Sequence, residues 1–338
     1  MSLSVRQLTD PNSPDLETYQ DLYVRAERAI RPDAAVHSLG ELRAVLGPTS
    51  VGMWFGALAA EDDDDMVGAA WLSGSLTDNL HAGSLGVWVP PERAGRGVGS
   101  ALLAEAERRM ILDGRREVTA RIILDGNGSA AHRGFAEARG FRCVYSEVER
   151  RLSLPLPEAR LAELESRVLP YRDGYRIEAF AGPIPERWAQ GYCDVSNRLV
   201  LDAPHGDLEV EERRRTPEIL VGQELEITSS GRRRVTALAL AADGSVVGLC
   251  SCVLPEPGSE EVDQWGTVVD RDHRGHRLGL SVKLACYRLI QELPGDHRLI
   301  RTGNAETNRW MIAINEALGF EVYTRTGVFG KRLVGGCP

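Results

Sequence analysis

Arg93 and Arg96 stand among glycines at positions 95, 97 and 99, between an apolar run, Leu85 to Val89, and an amphipathic stretch that opens at Ser100. Guanidinium groups pair with phosphate oxygens. Glycine lets the backbone touch a ligand, because no Cβ stands in the way. A helix that opens directly after such a turn aims its unpaired first-turn N–H groups, and the positive end of its dipole, at whatever sits there. These residues therefore suit a phosphate group. A dinucleotide fingerprint of the Rossmann kind does not fit. Position 100 is Ser where a third glycine is wanted, and the turn lies behind several elements instead of at the front of a βαβ unit. Taken alone, a β-α turn that uses glycine only for its dihedrals fits as well.

The stretch recurs. Residues Thr267 to Leu284 read TVVDRDHRGHRLGLSVKL, with Gly279 in the place of Gly99, an offset of 180. Each copy continues into a helix that stops at Gly-Phe: Gly140-Phe141 in the first, Gly319-Phe320 in the second, an offset of 179. A glycine turn, a helix, a strand and a Gly-Phe stop at matched spacing indicate an internal duplication of one domain.

Strand, R-x-x-G-x-G turn, helix, strand, then an Asn-led helix ending at Gly-Phe: this order resembles the GNAT superfamily of N-acetyltransferases. Two copies resemble a tandem GNAT protein. The resemblance implies an α+β fold of two GNAT-like domains, each a mixed central sheet flanked by helices. It implies acetyl-CoA, or another acyl-CoA, as cofactor and a small amine as acceptor. In the first half it places the cofactor at Val87, Trp88, Val89, Arg93, Ala94, Gly95, Arg96, Gly97, Val98, Gly99, Ser100 and Asn127. In the second half the matching residues are Val269, Arg274, Gly275, His276, Arg277, Leu278, Gly279, Leu280, Ser281, Asn304 and Asn308.

Acyl transfer from a thioester needs the carbonyl polarised, the amine deprotonated and the leaving thiolate protonated. The family often uses a carboxylate as base and a tyrosine on the last motif helix as acid. The first half holds Ala136 at the tyrosine position, beside Phe135, and has no carboxylate between Leu80 and Val89. The second half holds Asn315 there and Asp263 and Gln264 at the start of its loop strand, but Arg277 replaces a turn glycine. The resemblance thus assigns coenzyme binding to the first half and turnover, through Asp263 and Asn315, to the second. For Asn308 an N-cap role stays open, and for Asp263 a solvated strand end. A coenzyme-binding protein without turnover, and a transferase of a larger acyl group or to an oxygen acceptor, stay open too.

The remaining numbers narrow the class. The chain has 338 residues, 43% hydrophobic and 26% charged, as in globular proteins of two domains. A net charge of −9 argues against nucleic acid as partner. No apolar run spans a membrane and no leader pattern opens the chain, so the expected place is the cytoplasm. Six scattered cysteines read as reduced thiols. Cys250 and Cys252 share a strand face and read as packing, because no second Cys or His pair completes a zinc set; no metal is expected. Lys283 and Lys331 are the only lysines and suit ordinary helix or surface positions.

Periodicity places the elements. The first half reads β-α-α-β-β-β-α-β-α-β. Its strands include Ser50 to Ala60 and Met66 to Gly74, around an acidic turn from Glu61 to Asp65, and its first helix runs from Pro14 to Ile30. Expected domains are 1–153 and 173–338, with a charged linker helix within 154–172. In the second half Glu209 to Glu226 reads as a helix, and Asp243-Gly244 as a hairpin turn.

Overall fold

The computed structural model describes residues 3–47, 51–63, 65–202 and 204–333. Ser50, expected to open the second strand, and Asp64, expected in the acidic turn, lie outside them. The first half runs β1 (Leu3–Leu8), α1 (Asp15–Ile30), α2 (Leu39–Leu46), β2 (Met53–Asp62), β3 (Asp65–Ser75), β4 (Ala82–Trp88), α3 (Val98–Leu112), β5 (Glu117–Ile123), α4 (Ser129–Glu137) and β6 (Arg142–Ser153). That is the expected order. The second half runs α5 (Glu158–Val168), β7 (Arg176–Ala181), α6 (Glu186–Asn197), α7 (Leu199–Asp202), α8 (Pro217–Ser229), β8 (Arg233–Leu240), β9 (Val246–Leu254), β10 (Glu261–Val269), α9 (Leu278–Glu292), β11 (Leu299–Ala305), α10 (Arg309–Leu318) and β12 (Glu321–Arg332).

The elements follow from local chemistry. Helix α1 buries Leu16, Tyr19, Leu22, Tyr23 and Ala26, a stripe at helical spacing. Helix α2 opens on a capping box, with Ser38 Oγ accepting from Glu41 N and the Glu41 carboxylate accepting from Ser38 N. Helix α8 starts later than expected. Pro217 has no N–H to give and a φ suited to the first helical position, and Thr216 caps the end, so residues 209–215 stay outside the helix.

The chain divides into two compact units. Unit 1 comprises Met1–Glu147, His205–Glu209 and Thr324–Pro338; unit 2 comprises Val148–Pro204 and Val210–Tyr323. They differ from the contiguous segments 1–153 and 173–338, because the last strands are exchanged. In unit 1, β1 to β4 pair antiparallel in order. Then β4 pairs parallel with β5, and β5 pairs antiparallel with β12, from Thr326↔Ile123 to Arg332↔Glu117. In unit 2, β7 to β10 pair antiparallel in order, β10 pairs parallel with β11, and the far end of β6 lies beside β11.

Each unit has its own core. In unit 1, Leu102, Leu103, Ala106 and Met110 of α3 pack on one sheet face, with Phe141 and Phe329. Leu16, Tyr19 and Leu42 of α1 and α2 cover the other. In unit 2, α9 is buried along its length, and α5 packs beside it through Leu161, Leu164 and Val168. The expected linker helix is therefore part of that core. Among the described residues no helix is long and apolar enough to cross a membrane.

Candidate functional site

In unit 1 the parallel register of β4 with β5 covers only Ala82↔Glu117 to Ser84↔Thr119, while β4 runs on to Trp88. A single 3-10 turn, Pro91–Arg93, leads into the exposed stretch Ala94–Gly97, and α3 opens at Val98. Gly95 and Gly97 have φ of +74° and +86°, and a Cβ on either would meet nothing within 4 Å. Their role is backbone conformation and open space in front of the helix. Gly99 differs: a Cβ there would reach the Phe135 ring at 3.4 Å, so it serves close packing of α3 against α4.

Cations frame this turn. Arg96 is exposed and has no partner among the described residues. Arg93 faces Asp65 at 3.8 Å. Arg139, which sequence reasoning missed, comes from the end of α4, donates to Ser100 Oγ at 2.6 Å and lies 3.7 Å over the Phe135 ring. No side chain caps α3, so its first-turn N–H groups keep their capacity for an anion. Val87 and Val89 pack toward α3. Trp88 points to the opposite face, where its indole Nε1 donates to Glu27 at 2.6 Å and its ring meets Tyr23 edge-on at 4.8 Å. Glu27 was also missed; nothing in the sequence near α1 marks it as a neighbour of the loop strand. Asn127 ties the start of α4 to α1, through its N–H to Ile30 O at 3.0 Å and its amide to Ala29 O at 3.5 Å.

Unit 2 repeats the geometry with its cations already engaged. Val269 ends β10, Gly275 has φ +90° with open surroundings, and Arg277 adopts φ +52° at the N-cap of α9. A non-glycine residue in this region costs roughly 1–2 kcal/mol. Arg277 lies 4.7 Å over the Tyr171 ring, His276 Nδ1 is 3.2 Å from Tyr171 O, and Arg274 Nε donates to Val269 O at 3.2 Å. Tyr175 Oη and His273 Nδ1 are 2.9 Å apart. At the start of α9, Leu278, Leu280 and Ser281 are buried, with Ser281 Oγ donating to Arg277 O. A Cβ on Gly279 would press Ile314 at 3.3 Å, repeating Gly99 and Phe135.

Of the proposed proton-transfer residues, Asp263 is half-buried and paired, and Asn315 is buried. Asp263 accepts from Arg232 at 2.9 Å and from Arg301 at 2.5 Å, one guanidinium on each carboxylate oxygen. Arg301 also reaches Glu149 and Glu261, and burial pushes the Glu261 carboxyl up. Asn315 is fully buried: its amide donates to Asn304 Oδ1 at 3.2 Å and its Oδ1 accepts from Lys283 at 2.5 Å. Asn304 Oδ1 also accepts from Arg150 at 3.3 Å. Asn308 caps α10 by accepting from Met311 N at 3.2 Å. Gln264 donates to Thr302 at 2.9 Å and accepts from Tyr287, linking β10 to β11 where their register ends. Ala136 in unit 1 is buried as Asn315 is, and each offers its carbonyl to the Phe N–H after the helix stop.

Lys283 occupies a helix position in α9 but is fully buried there, and burial pushes its ammonium down to about 8.

Residues 54–143, from β2 through the turn and α4, match the family described as acetyltransferase (GNAT) domain. Residues 54–143 are a GNAT acetyltransferase domain. The whole chain has the tandem GNAT fold: it is similar to a tandem GNAT protein from the clavulanic acid biosynthesis pathway, at 24% identity and a TM-score of 0.76, covering 99% of this chain and 100% of that one. It is also similar to a GCN5-related N-acetyltransferase from Sphaerobacter thermophilus, at 18% identity and a TM-score of 0.65, covering 99% and 97%. No curated protein matches the sequence. GNAT enzymes use acyl-CoA. The unit 1 turn has room for a diphosphate: a Cβ on Gly95 or Gly97 would meet nothing within 4 Å, Arg93 and Arg96 flank them in the sequence, and no side chain caps α3.

Proposed function

We propose that the protein transfers an acetyl or other acyl group from coenzyme A to the amine of a small metabolite, with the coenzyme held on the GNAT domain of unit 1. The open turn at Gly95 and Gly97, with Arg96 free, carries this reading. Arg96, Arg93 and the first-turn N–H groups of α3 would hold the diphosphate. The end of β4, beyond its register with β5, offers backbone groups to an extended ligand. Bound coenzyme supplies an activated acyl thioester.

The attacking amine must shed a proton. Sequence alone gives that task to Asp263, with Asn315 at the leaving thiolate. The paired state of Asp263 and the burial of Asn315 favour unit 1 instead. There Glu27, held against the loop strand by Trp88, is a carboxylate suited to accept the proton. Protonation of the thiolate falls to water, since Ala136 occupies the position where the family often has tyrosine.

The test is release of free thiol from acetyl-CoA across a panel of small amines. We expect release with at least one amine, and its loss in Gly95→Trp. Tight binding of coenzyme A with no release across the panel would favour a binding protein without turnover.

A further inference from the structure

Three cysteines converge inside unit 2. Cys250 and Cys252 lie two apart on β9, so their side chains share one face of the sheet. That face packs against α9, which contributes Cys286. All three are fully buried, and their Sγ atoms lie within 4.8 Å of one another. The sequence reading of Cys250-x-Cys252 as packing rests on the want of further ligands nearby. The fold supplies one from a helix more than 30 residues away.

Two neighbours make a purely apolar thiol cluster an incomplete account. Thr267 stands directly opposite Cys250 in the β10 register, and its Oγ is buried beside the Cys250 thiol. Lys283, one turn before Cys286 on α9, is buried completely, and its ammonium donates to the neutral Asn315. A buried ammonium calls for a negative partner, and no carboxylate supplies one in the contacts it makes.

We propose that Cys250, Cys252 and Cys286 form a structural site for a soft divalent ion, zinc by preference, with the Thr267 hydroxyl in the fourth position and Lys283 as counter-charge. Three thiolates around a divalent ion carry one net negative charge, which a lysine ammonium balances. A monovalent soft ion would leave a second negative charge buried and uncompensated. Zinc–sulfur bonds of about 2.3 Å set tetrahedral sulfurs about 3.8 Å apart, so the thiols need to draw in by about 1 Å at most from the separations seen. On binding, each thiol gives up its proton to solvent and each sulfur donates an electron pair to the ion; no oxidant or reductant takes part. The site would fasten α9 to β9, on the face of the sheet opposite α6.

The test starts with protein purified without chelator and analysed for metals by plasma mass spectrometry. We expect one zinc per chain, retained in Cys143→Ser, whose exposed thiol lies outside the cluster, and lost in Cys286→Ser. Because Cys286→Ser in a tight core could fail to fold, the wild-type chain is also refolded with cadmium. A thiolate-to-cadmium charge-transfer band at one equivalent supports the site. Metal well below one per chain, with no band on refolding, overturns it. So does metal content that follows Cys143 instead of Cys286.

Discussion

Arg96 and Asp263 are opposite cases of a charged residue beside a candidate site. Arg96 has no partner in the described structure, so the fold does not depend on it. Charge-assisted hydrogen bonds contribute about 1.5–3 kcal/mol, and about 1.4 kcal/mol is a factor of ten. Arg96→Ala should therefore weaken coenzyme A about 10- to 100-fold in a calorimetric titration and leave the melting temperature unchanged. Asp263 is spent on two arginines. Asp263→Asn should lower stability by about 1–3 kcal/mol in a denaturant melt while turnover per folded molecule holds; a collapse of kcat in a fully folded variant would return catalysis to unit 2. Glu27→Gln should lower kcat about 10²-fold with coenzyme affinity unchanged, and an unaltered rate would remove Glu27 from the mechanism. The sequence marked the turn arginines by their spacing from the glycines. It could not mark Glu27 or Arg139, because Glu27 meets the loop strand and Arg139 the start of α3 through contacts between elements. The burial of Lys283 was within reach: it shares an i, i+3, i+4, i+7 stripe with Cys286, Tyr287 and Ile290.

At the scale of the element, the turns and stops explain why the pattern was readable. Gly319 caps α10 and Gly140 closes the turn after α4, with φ of +93° and +83°, and Phe320 and Phe141 then enter the cores. A Cβ on Gly319 would come no closer than 3.9 Å, to Leu152, so a side chain there is strained but not crowded. Gly319→Ala should thus cost about 1–2 kcal/mol, measured by thermal unfolding. A neutral result would show that the backbone relaxes at little cost. Helices, strands and turn chemistry were legible because hydrophobic period and glycine placement act locally. The start of α8 was not, because the charged run from Glu209 continues past the point where Pro217 and Thr216 set the helix boundary.

At the scale of the molecule, the duplication was visible and the exchange of last strands was not. Pairing of β12 with β5 joins residues some 200 positions apart, and neither strand carries a mark of its partner. The exchange predicts that residues 1–153 expressed alone lack the strand that covers β5. An uncovered edge recruits other chains, so this fragment should aggregate or associate. Co-expression with 154–338 should restore soluble protein. A monomeric 1–153 fragment that unfolds cooperatively would show that β12 is dispensable to unit 1.

In the proposed function, coenzyme A binds the turn of unit 1, whereas the matching turn of unit 2 is engaged by its own chain. Gly95 and Gly275 hold equivalent positions, both with positive φ and both with nothing within 4 Å of an added Cβ. Tryptophan at either place imposes similar backbone strain, so the pair isolates the effect on the ligand. Native mass spectrometry with acetyl-CoA should show one molecule bound to the wild type and to Gly275→Trp, and none to Gly95→Trp. Binding that survives Gly95→Trp and disappears in Gly275→Trp would contradict the account.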